Sequence, residues 1–287
     1  MRFQFIQSQA TTYSVTRLCE VMRVSRRGYY DWLDRPESQR AKDDRRLLAV
    51  IRRIFAETRE VYGSPRIHRS LIEQGYPCGV NRVARLMRAA NIVPKTVRRF
   101  RVTTDSRNSQ TPSPNLLDRK FIVSKPNAKW VTDVTYIATR EGWLYLAAVL
   151  DLYSRKIVGW SMGNRLTSAL AKRSLVHAIE TRRPQPGLLV HSDQGREFYA
   201  GEYQQVLSEH GLVSSMSRKG ECYDNAPMES FFHTLKVEQV HHDDYRTRSE
   251  GRSAIFDYIE IFYNRQRKHS YIDYRSPMDY EREGCLT

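Results

Sequence analysis

Three acidic residues stand in segments that otherwise favour a buried strand or the start of a helix. Asp133 lies within a β-branched run, Asp193 directly follows a short apolar run, and Glu229 falls in the first turn of a predicted helix. Carboxylates in such positions bind hard cations or carry protons. Each residue alone also has a structural interpretation, as an exposed strand residue, a turn former or an acid favoured near a helix N-terminus. Their combination, with 35 residues between Asp193 and Glu229, indicates chemistry.

Two other polar residues compete for a place in this site. Asp151 ends a predicted strand, but its spacing fits no third ligand, so a structural role is favoured. His191 lies two residues before Asp193 and either supports the acidic site or packs at a strand end. The sequence is interpreted as lacking both a nucleophile elbow and the Gly-rich phosphate-binding motifs, which disfavours serine hydrolase and nucleotide-binding chemistry. The four cysteines form no Cys-x-x-Cys pair and are expected to be free thiols.

The charge is concentrated at one end of the chain. The 287 residues carry a net charge of +15, of which +13 falls in residues 1–110 and only +2 in residues 111–287. This imbalance favours a polyanionic partner, nucleic acid before an acidic protein, although a basic surface also serves solubility. The longest clear apolar run, Trp143 to Leu150, is too short to cross a membrane, and no signal peptide is recognised, so an intracellular protein is expected, cytoplasmic or nucleoid-associated.

The elements that must position the acids form an alternating pattern. Strands are predicted over Trp130–Thr139, Trp143–Leu152, Lys156–Met162, Gly187–His191 and Leu212–Ser217, and helices over Thr167–Arg182, Glu202–His210 and Pro227–Val240. The first three strands form an antiparallel meander because short turns join them. The order β-β-β-α-β-α-β-α describes a mixed five-stranded sheet with helices on both faces.

Two basic helical modules precede this core. Ser14 and Ser25 are predicted N-caps of two short helices with helix-turn-helix spacing, and a second such pair flanks a Gly-Tyr-Pro break at residues 75–77. An ordinary basic helical hairpin is the alternative. Basic residues in these modules, in the segment that follows them and near Glu229 are expected to contact DNA. They are Arg23, Arg26, Arg27, Arg82, Arg85, Arg88, Arg98, Arg99, Arg218, Lys219 and Lys236.

The motifs together resemble one family. The matching segments are Trp130-Val131-Thr132-Asp133, His191-Ser192-Asp193-Gln194-Gly195 with Glu197-Phe198, Asn225-Ala226-Pro227-Met228-Glu229-Ser230-Phe231-Phe232, and the C-terminal Tyr263-Asn264 with Arg267, His269, Ser276 and Pro277. With these segments the chain resembles the IS3-family transposases of the DDE transposase and integrase superfamily. The resemblance implies an α/β fold, an RNase H-like catalytic core preceded by all-α helix-turn-helix modules. The expected domains are a helix-turn-helix at 1–40, a second basic helical domain at 41–100, a linker at 101–126, the core at 127–240 and a C-terminal helical extension at 241–287.

The resemblance also implies a chemistry. Asp133, Asp193 and Glu229 are expected to be the catalytic residues and metal ligands, because converging carboxylates repel one another unless cations neutralise them. Oxygen ligands select Mg²⁺ first and Mn²⁺ next. Two ions about 3.5–4 Å apart suit an in-line phosphoryl transfer. Asp133 is assigned as the bridging ligand, with Asp193 on one metal and Glu229 on the other.

The expected partners follow from the same resemblance. They are double-stranded DNA, comprising the terminal inverted repeats and the target, a homo-oligomer on that DNA, and a first-frame transposase protein, separate or fused; no membrane partner is expected. Lys236 is expected to contact donor-end phosphate from two helical turns after Glu229. Two alternatives stay open: a nuclease of the same fold class, and a helix-turn-helix regulator with an idle core, against which the intact triad argues.

Overall fold

The computed structural model describes residues 1–95, 112–218 and 221–284, and its centre is a five-stranded mixed sheet in the order β3-β2-β1-β4-β5. The first three strands pair antiparallel, whereas β4 pairs parallel with both β1 and β5. The predicted meander and the mixed sheet are therefore confirmed. The strands are β1 (Lys129–Thr139), β2 (Gly142–Asp151), β3 (Ile157–Gly163), β4 (Leu189–Ser192) and β5 (Val213–Met216).

One face of the sheet is covered by the helices that lie between its later strands. Trp130, Val149 and Val158 form an apolar cluster there with residues of α7 and α9. Close approach is built in at Gly159, where an added Cβ would lie 2.4 Å from the carbonyl oxygen of Ser174 in α7. The helices on this side are α7 (Ser168–Arg182), α8 (Arg196–Tyr199) and α9 (Gly201–Glu209).

The opposite face carries α10 and the C-terminal helices, and its apolar cluster continues into the second helical module. Val131 and Ile137 of β1 belong to the same cluster as Phe231 of α10, Phe262 near the C-terminus and Ile51 of the module. These elements are α4 (Gln39–Glu57), α5 (Ser64–Glu73), α6 (Val80–Ala89), α10 (Ala226–Glu238), α11 (Arg248–Phe256), a π-helix (Asp257–Tyr263) and α12 (Pro277–Gly284). The module therefore shares the main apolar core with α10 and the C-terminal helices.

The first helical module has a small core of its own. Ile6, Leu18, Cys19 and Tyr29 are buried together, apart from the main cluster. Ser14 and Ser25 accept hydrogen bonds from backbone N–H groups three residues ahead and cap their helices as predicted. The helices are α1 (Arg2–Gln9), α2 (Val15–Val21) and α3 (Arg26–Leu33). No helix within the described ranges is long and apolar enough to cross a membrane.

Candidate active site

The pairing of β1 with β4 brings two of the acids together. β4 pairs with β1 only from Lys129 to Val131, with Val131 opposite His191, so both chains leave the pairing side by side and Asp133 and Asp193 follow two residues later. Glu229 lies on α10, which packs against β1. The Asn225 amide donates to the carbonyl oxygen of Thr132 at 3.1 Å and fixes the start of that helix beside Asp133.

The three carboxyl groups lie close enough to influence one another's protonation. Burial, followed by the charges of Asp193, Glu197 and Glu229, raises the pKa of Asp133 well above its ordinary value of 3.8. Burial and the charge of Asp193 raise the pKa of Glu229, and burial raises the pKa of Asp193. All three acids resist ionisation because burial disfavours negative charge, and at Asp133 and Glu229 the neighbouring carboxylates add to this effect.

Glu197 is a fourth acid at the site, quoted in the motif but not predicted as a site residue. Burial and then the charge of Asp193 raise its pKa. A Cβ added at Gly195 would lie 2.7 Å from Glu197 Oε1 and 3.0 Å from Asp193 Oδ1, which places the two carboxylates next to one another. The Gly195 N–H donates to Asp193 Oδ1 at 2.9 Å and holds that carboxylate in its turn. The spacing Asp193-x-x-x-Glu197 is the signal that could have identified it.

The donor set suits a hard cation. All four acidic side chains offer oxygen, and a divalent cation would relieve the repulsion that raises their pKa values. Within residues 1–95, 112–218 and 221–284, no group of three or more His, Cys, Asp or Glu side chains is close enough together to coordinate one metal ion in this structure. Lys236 interacts with this site through charge: burial lowers the pKa of its ammonium, and the charge of Asp133 raises it.

A second cluster, which the sequence did not predict, anchors the active-site helix. Asp224 is fully buried one residue before Asn225, and its pKa is held below the usual range, chiefly by Arg218. It accepts hydrogen bonds from Asn115 at 2.7 Å, from Arg119 at 2.8 Å and from the backbone and side chain of Arg218 at 2.9–3.1 Å. This cluster, the Asp224 clamp, joins the segment before β1 and the strand-to-helix loop to the start of α10.

Comparison with known proteins places this geometry in a family. Models described as "HTH-like domain" match residues 42–100, and two described as "Integrase core domain" match residues 123–222 and 229–284. The chain is 40% identical to the transposase InsF of insertion sequence IS3A from Escherichia coli (strain K12), over 99% of both chains. The chain belongs to the IS3 family of insertion-sequence transposases. Its predicted family and its RNase H-like fold class are confirmed.

Two further proteins are similar to this chain. The transposase is 46% identical to the insertion element IS600 uncharacterized 31 kDa protein of Shigella sonnei, over 91% of this chain and 96% of that protein. Among solved structures, it is similar to a chain of the simian T-cell lymphotropic virus intasome, with 15% identity and a TM-score of 0.47 over 80% of this chain and 73% of that one.

The predicted DNA-binding residues of the transposase fall into different surroundings. Arg23, Arg26, Arg27 and Arg88 are exposed. Arg82 and Arg85 both pair with Asp44 of α4, at 2.7 and 2.6 Å, so one carboxylate holds two guanidinium groups and leaves a net positive charge. Arg218 belongs to the Asp224 clamp but keeps half of its side chain exposed. Arg98, Arg99 and Lys219 lie outside the described residues.

The competing acid and the histidine of the transposase have structural partners. Asp151 is buried at the end of β2 opposite Trp130, where it accepts from the N–H groups of Asn127 and Tyr153 and organises the turn. His191 is buried between the hydroxyls of Ser215 and Ser217, at 2.9 and 3.1 Å, and burial lowers its pKa to about 4. It is therefore neutral at pH 7.

The structure bears on one motif of the transposase sequence, the nucleophile elbow of serine hydrolases. Residues 159–163, Gly-Trp-Ser-Met-Gly, have the spacing of a nucleophile elbow, so the interpretation that the sequence lacks this motif is wrong. They lie within β3 instead of a strand-to-helix turn, and Ser161 Oγ donates to the carbonyl oxygen of Leu170 at 2.7 Å. Serine hydrolysis remains unsupported, because a nucleophile elbow requires that sharp turn.

Proposed function

We propose that this transposase cleaves DNA at the ends of its insertion sequence and joins the freed ends to a target, using divalent metal ions. The observation that carries the proposal is the convergence of Asp133 from within β1, Asp193 from the end of β4 and Glu229 from α10, with pKa values raised by burial and, at Asp133 and Glu229, also by neighbouring charge. Such perturbed acids mark functional sites more often than structural ones. Glu197, beside Asp193, is available to support the same cations.

The chain's own residues have distinct parts in this reaction. Asp133, Asp193 and Glu229 would hold two Mg²⁺ ions, and Mn²⁺ is the expected substitute. When bound, these ions stabilise the charge that develops on the attacking and leaving oxygens of a phosphodiester. We assign the contact with a donor-end phosphate to Lys236, whose ammonium the charge of Asp133 attracts. Water is the first nucleophile and the freed 3′-hydroxyl the second, so no covalent protein intermediate is needed.

DNA binding is assigned to the basic modules. The exposed arginines Arg23, Arg26 and Arg27 stand at the turn and the start of α3, the position from which a helix-turn-helix enters the major groove. The partners are the terminal inverted repeats, the target DNA, further copies of the chain on that DNA and a first-frame protein or fusion. The substrate places the protein on nucleoid DNA inside the cell.

The test is an in vitro reaction with separate readouts for nicks and joined products. The full chain is incubated with its first-frame partner, Mg²⁺ and a duplex that carries the end of the insertion sequence. We expect nicks and joined products, and we expect Asp133→Asn, Asp193→Asn and Glu229→Gln each to abolish both while DNA binding survives. Nicks without joined products would favour a nuclease. Full activity in all three variants would contradict the assignment of the triad.

A further inference from the structure

We propose that Asp44 of α4 is a positioning residue for DNA recognition, which holds Arg82 and Arg85 of α6 so that Arg85 reads a base in the major groove. This inference rests on the proposed function and deepens it, because it names the helix and the side chains that select the DNA sequence. Asp44, Arg82 and Arg85 are called the α4–α6 bridge below.

Helix α6 has one packed face and one open face. Three of its apolar residues are buried in the main cluster, and these are Val83, Leu86 and Met87. Asn81, Arg85 and Arg88 follow one another at intervals of four and three residues, so they share the opposite face of the helix, and all three are exposed. The helix therefore presents an amide and two guanidinium groups away from the body of the protein.

The α4–α6 bridge restrains the arginines of this helix. Asp44 Oδ1 accepts from Arg82 Nε at 2.7 Å, and Asp44 Oδ2 accepts from Arg85 Nη2 at 2.6 Å. The hydrogen bond from Arg85 lowers the pKa of Asp44 below its ordinary value, so the carboxylate is ionised at pH 7. The Asp44 side chain is 15% exposed, whereas that of Arg85 is 50% exposed. The carboxylate is thus covered while the Arg85 side chain stays open to solvent.

Arg85 keeps donors for a second partner. A guanidinium group has five N–H donors, and the hydrogen bond to Asp44 uses one of them. Guanine offers the acceptors N7 and O6 side by side in the major groove, and two N–H groups of one guanidinium match them. An unrestrained arginine loses rotamer freedom when it binds, whereas Arg85 is already held by Asp44. Asn81, on the same face, suits adenine in a similar way.

The charge and order of the helices favour DNA as the partner of α6. Residues 42–95 carry 12 Lys and Arg against five Asp and Glu, and α6 itself contains three arginines and no acid. Helix α6 follows α5 after a turn at residues 74–79, and the second helix of such a pair is the one that enters the major groove. Asp44 offsets part of the attraction to phosphates, so the bridge weakens binding to any DNA while it orients Arg85 for one sequence.

The test measures sequence preference with metal removed, so that no reaction occurs. The full chain first enriches a preferred duplex from a pool of duplexes with a randomised segment. Its affinities for that duplex and for one of shuffled sequence are then compared. Asp44→Asn should lower the ratio of the two affinities about tenfold, as expected for one misplaced base contact. The affinity for the shuffled duplex should rise, because the variant has one negative charge fewer near the phosphates.

Two further variants separate orientation from charge. Asp43→Asn is the matched control: it removes the same charge from the next residue of α4, which accepts a hydrogen bond from Gln39, and it should leave the ratio unchanged. Arg85→Lys keeps the positive charge but loses the paired N–H donors. It should relax the preference at a G·C pair, and Asp44→Asn should relax the preference at the same pair.

Four results would overturn the proposal. They are an unchanged ratio in Asp44→Asn, an equal loss of affinity for both duplexes in that variant, relaxation at different base pairs in Asp44→Asn and Arg85→Lys, and no enriched sequence with the parent chain. The second would make the α4–α6 bridge a purely structural contact, and the fourth would point to a protein partner for α6. Because binding is measured without metal, a failure to cleave DNA would count against the proposed function alone.

Discussion

At the scale of single residues, the fold makes it costly for the carboxyl groups of the acidic site to ionise. Asp133, Asp193 and Glu229 are each partly buried, and burial raises the pKa of all three. The charge of Asp193 adds to the cost at Asp133 and at Glu229. Such a cluster stabilises a bound cation more than it stabilises the fold, which is the balance expected of a site selected for function.

The first prediction concerns the cost of that charge. Asp133→Asn should raise the free energy of unfolding of the metal-free protein by about 1 kcal/mol, because a negative group is removed from an apolar, acidic pocket without a change in size. Urea denaturation at pH 7 in the presence of a chelator measures it. Asp118→Asn, at an exposed carboxylate, is the control and should stay within about 0.5 kcal/mol of the parent. A clear loss of stability in Asp133→Asn would contradict the repulsion described here.

At the scale of secondary structure, the Asp224 clamp connects the active-site helix to the rest of the catalytic unit. One buried carboxylate collects donors from Asn115, from Arg119 and from Arg218, which lie on two separate segments. Its neighbour Asn225 bonds to the backbone of β1 beside Asp133. Glu229 stands one helical turn later, so its position depends on the clamp.

The second prediction is that the clamp controls the stability of the first turn of α10. Asp224→Asn removes the charge that two guanidinium groups share, so amide hydrogen exchange should accelerate by about tenfold, both at residues 230–233, whose N–H groups donate to the first-turn carbonyl oxygens of α10, and at residues 116–121. Exchange in α7 should not change. Glu221→Gln is the matched control, since Glu221 is exposed and contacts Arg119 only from the outside. Unchanged exchange at residues 230–233 in Asp224→Asn would show that the helix start is held by other contacts.

The sequence predicted some elements of secondary structure and missed others, for physical reasons. All five strands were predicted to within two residues because their apolar runs end at turns, as at Gly142. Helix α1 was not predicted, because its Gln-rich sequence buries only Ile6 and leaves no periodic apolar face. The Asp224 clamp was also missed, since Asn115 and Arg119 lie more than 100 residues away from Asp224 in sequence.

At the scale of the whole molecule, a buried ion-pair network ties the second helical module to the catalytic unit. Glu238 at the end of α10 accepts two hydrogen bonds from Arg267, both at 2.7 Å, and one from Tyr258 at 2.8 Å. Arg66 of α5 approaches the same carboxylate at 3.6 Å, and its guanidinium lies over the Tyr62 ring. The main apolar cluster surrounds these groups, so the module and the catalytic unit form one packed body.

The third prediction concerns this network. Glu238→Ala leaves the Arg267 guanidinium buried without a counter-charge, so the free energy of unfolding should fall by about 3–5 kcal/mol. Urea denaturation of the full chain measures it. Glu73→Ala is the control, because Glu73 is half exposed and pairs with Lys268 and Arg69 near the surface; it should cost less than about 1 kcal/mol. Similar losses in the two variants would contradict a buried role for Glu238.

The central claim is that Asp133, Asp193 and Glu229 together coordinate divalent cations. It is tested most directly by locating the metal in a crystal. Crystals of the full chain with a DNA end are soaked in Mn²⁺, and anomalous diffraction is recorded at the manganese edge. The account predicts anomalous peaks in contact with all three carboxylates, and loss of those peaks in Asp133→Asn crystals. Manganese bound elsewhere while the three carboxylates hold none, in crystals whose DNA has been cleaved, would contradict it.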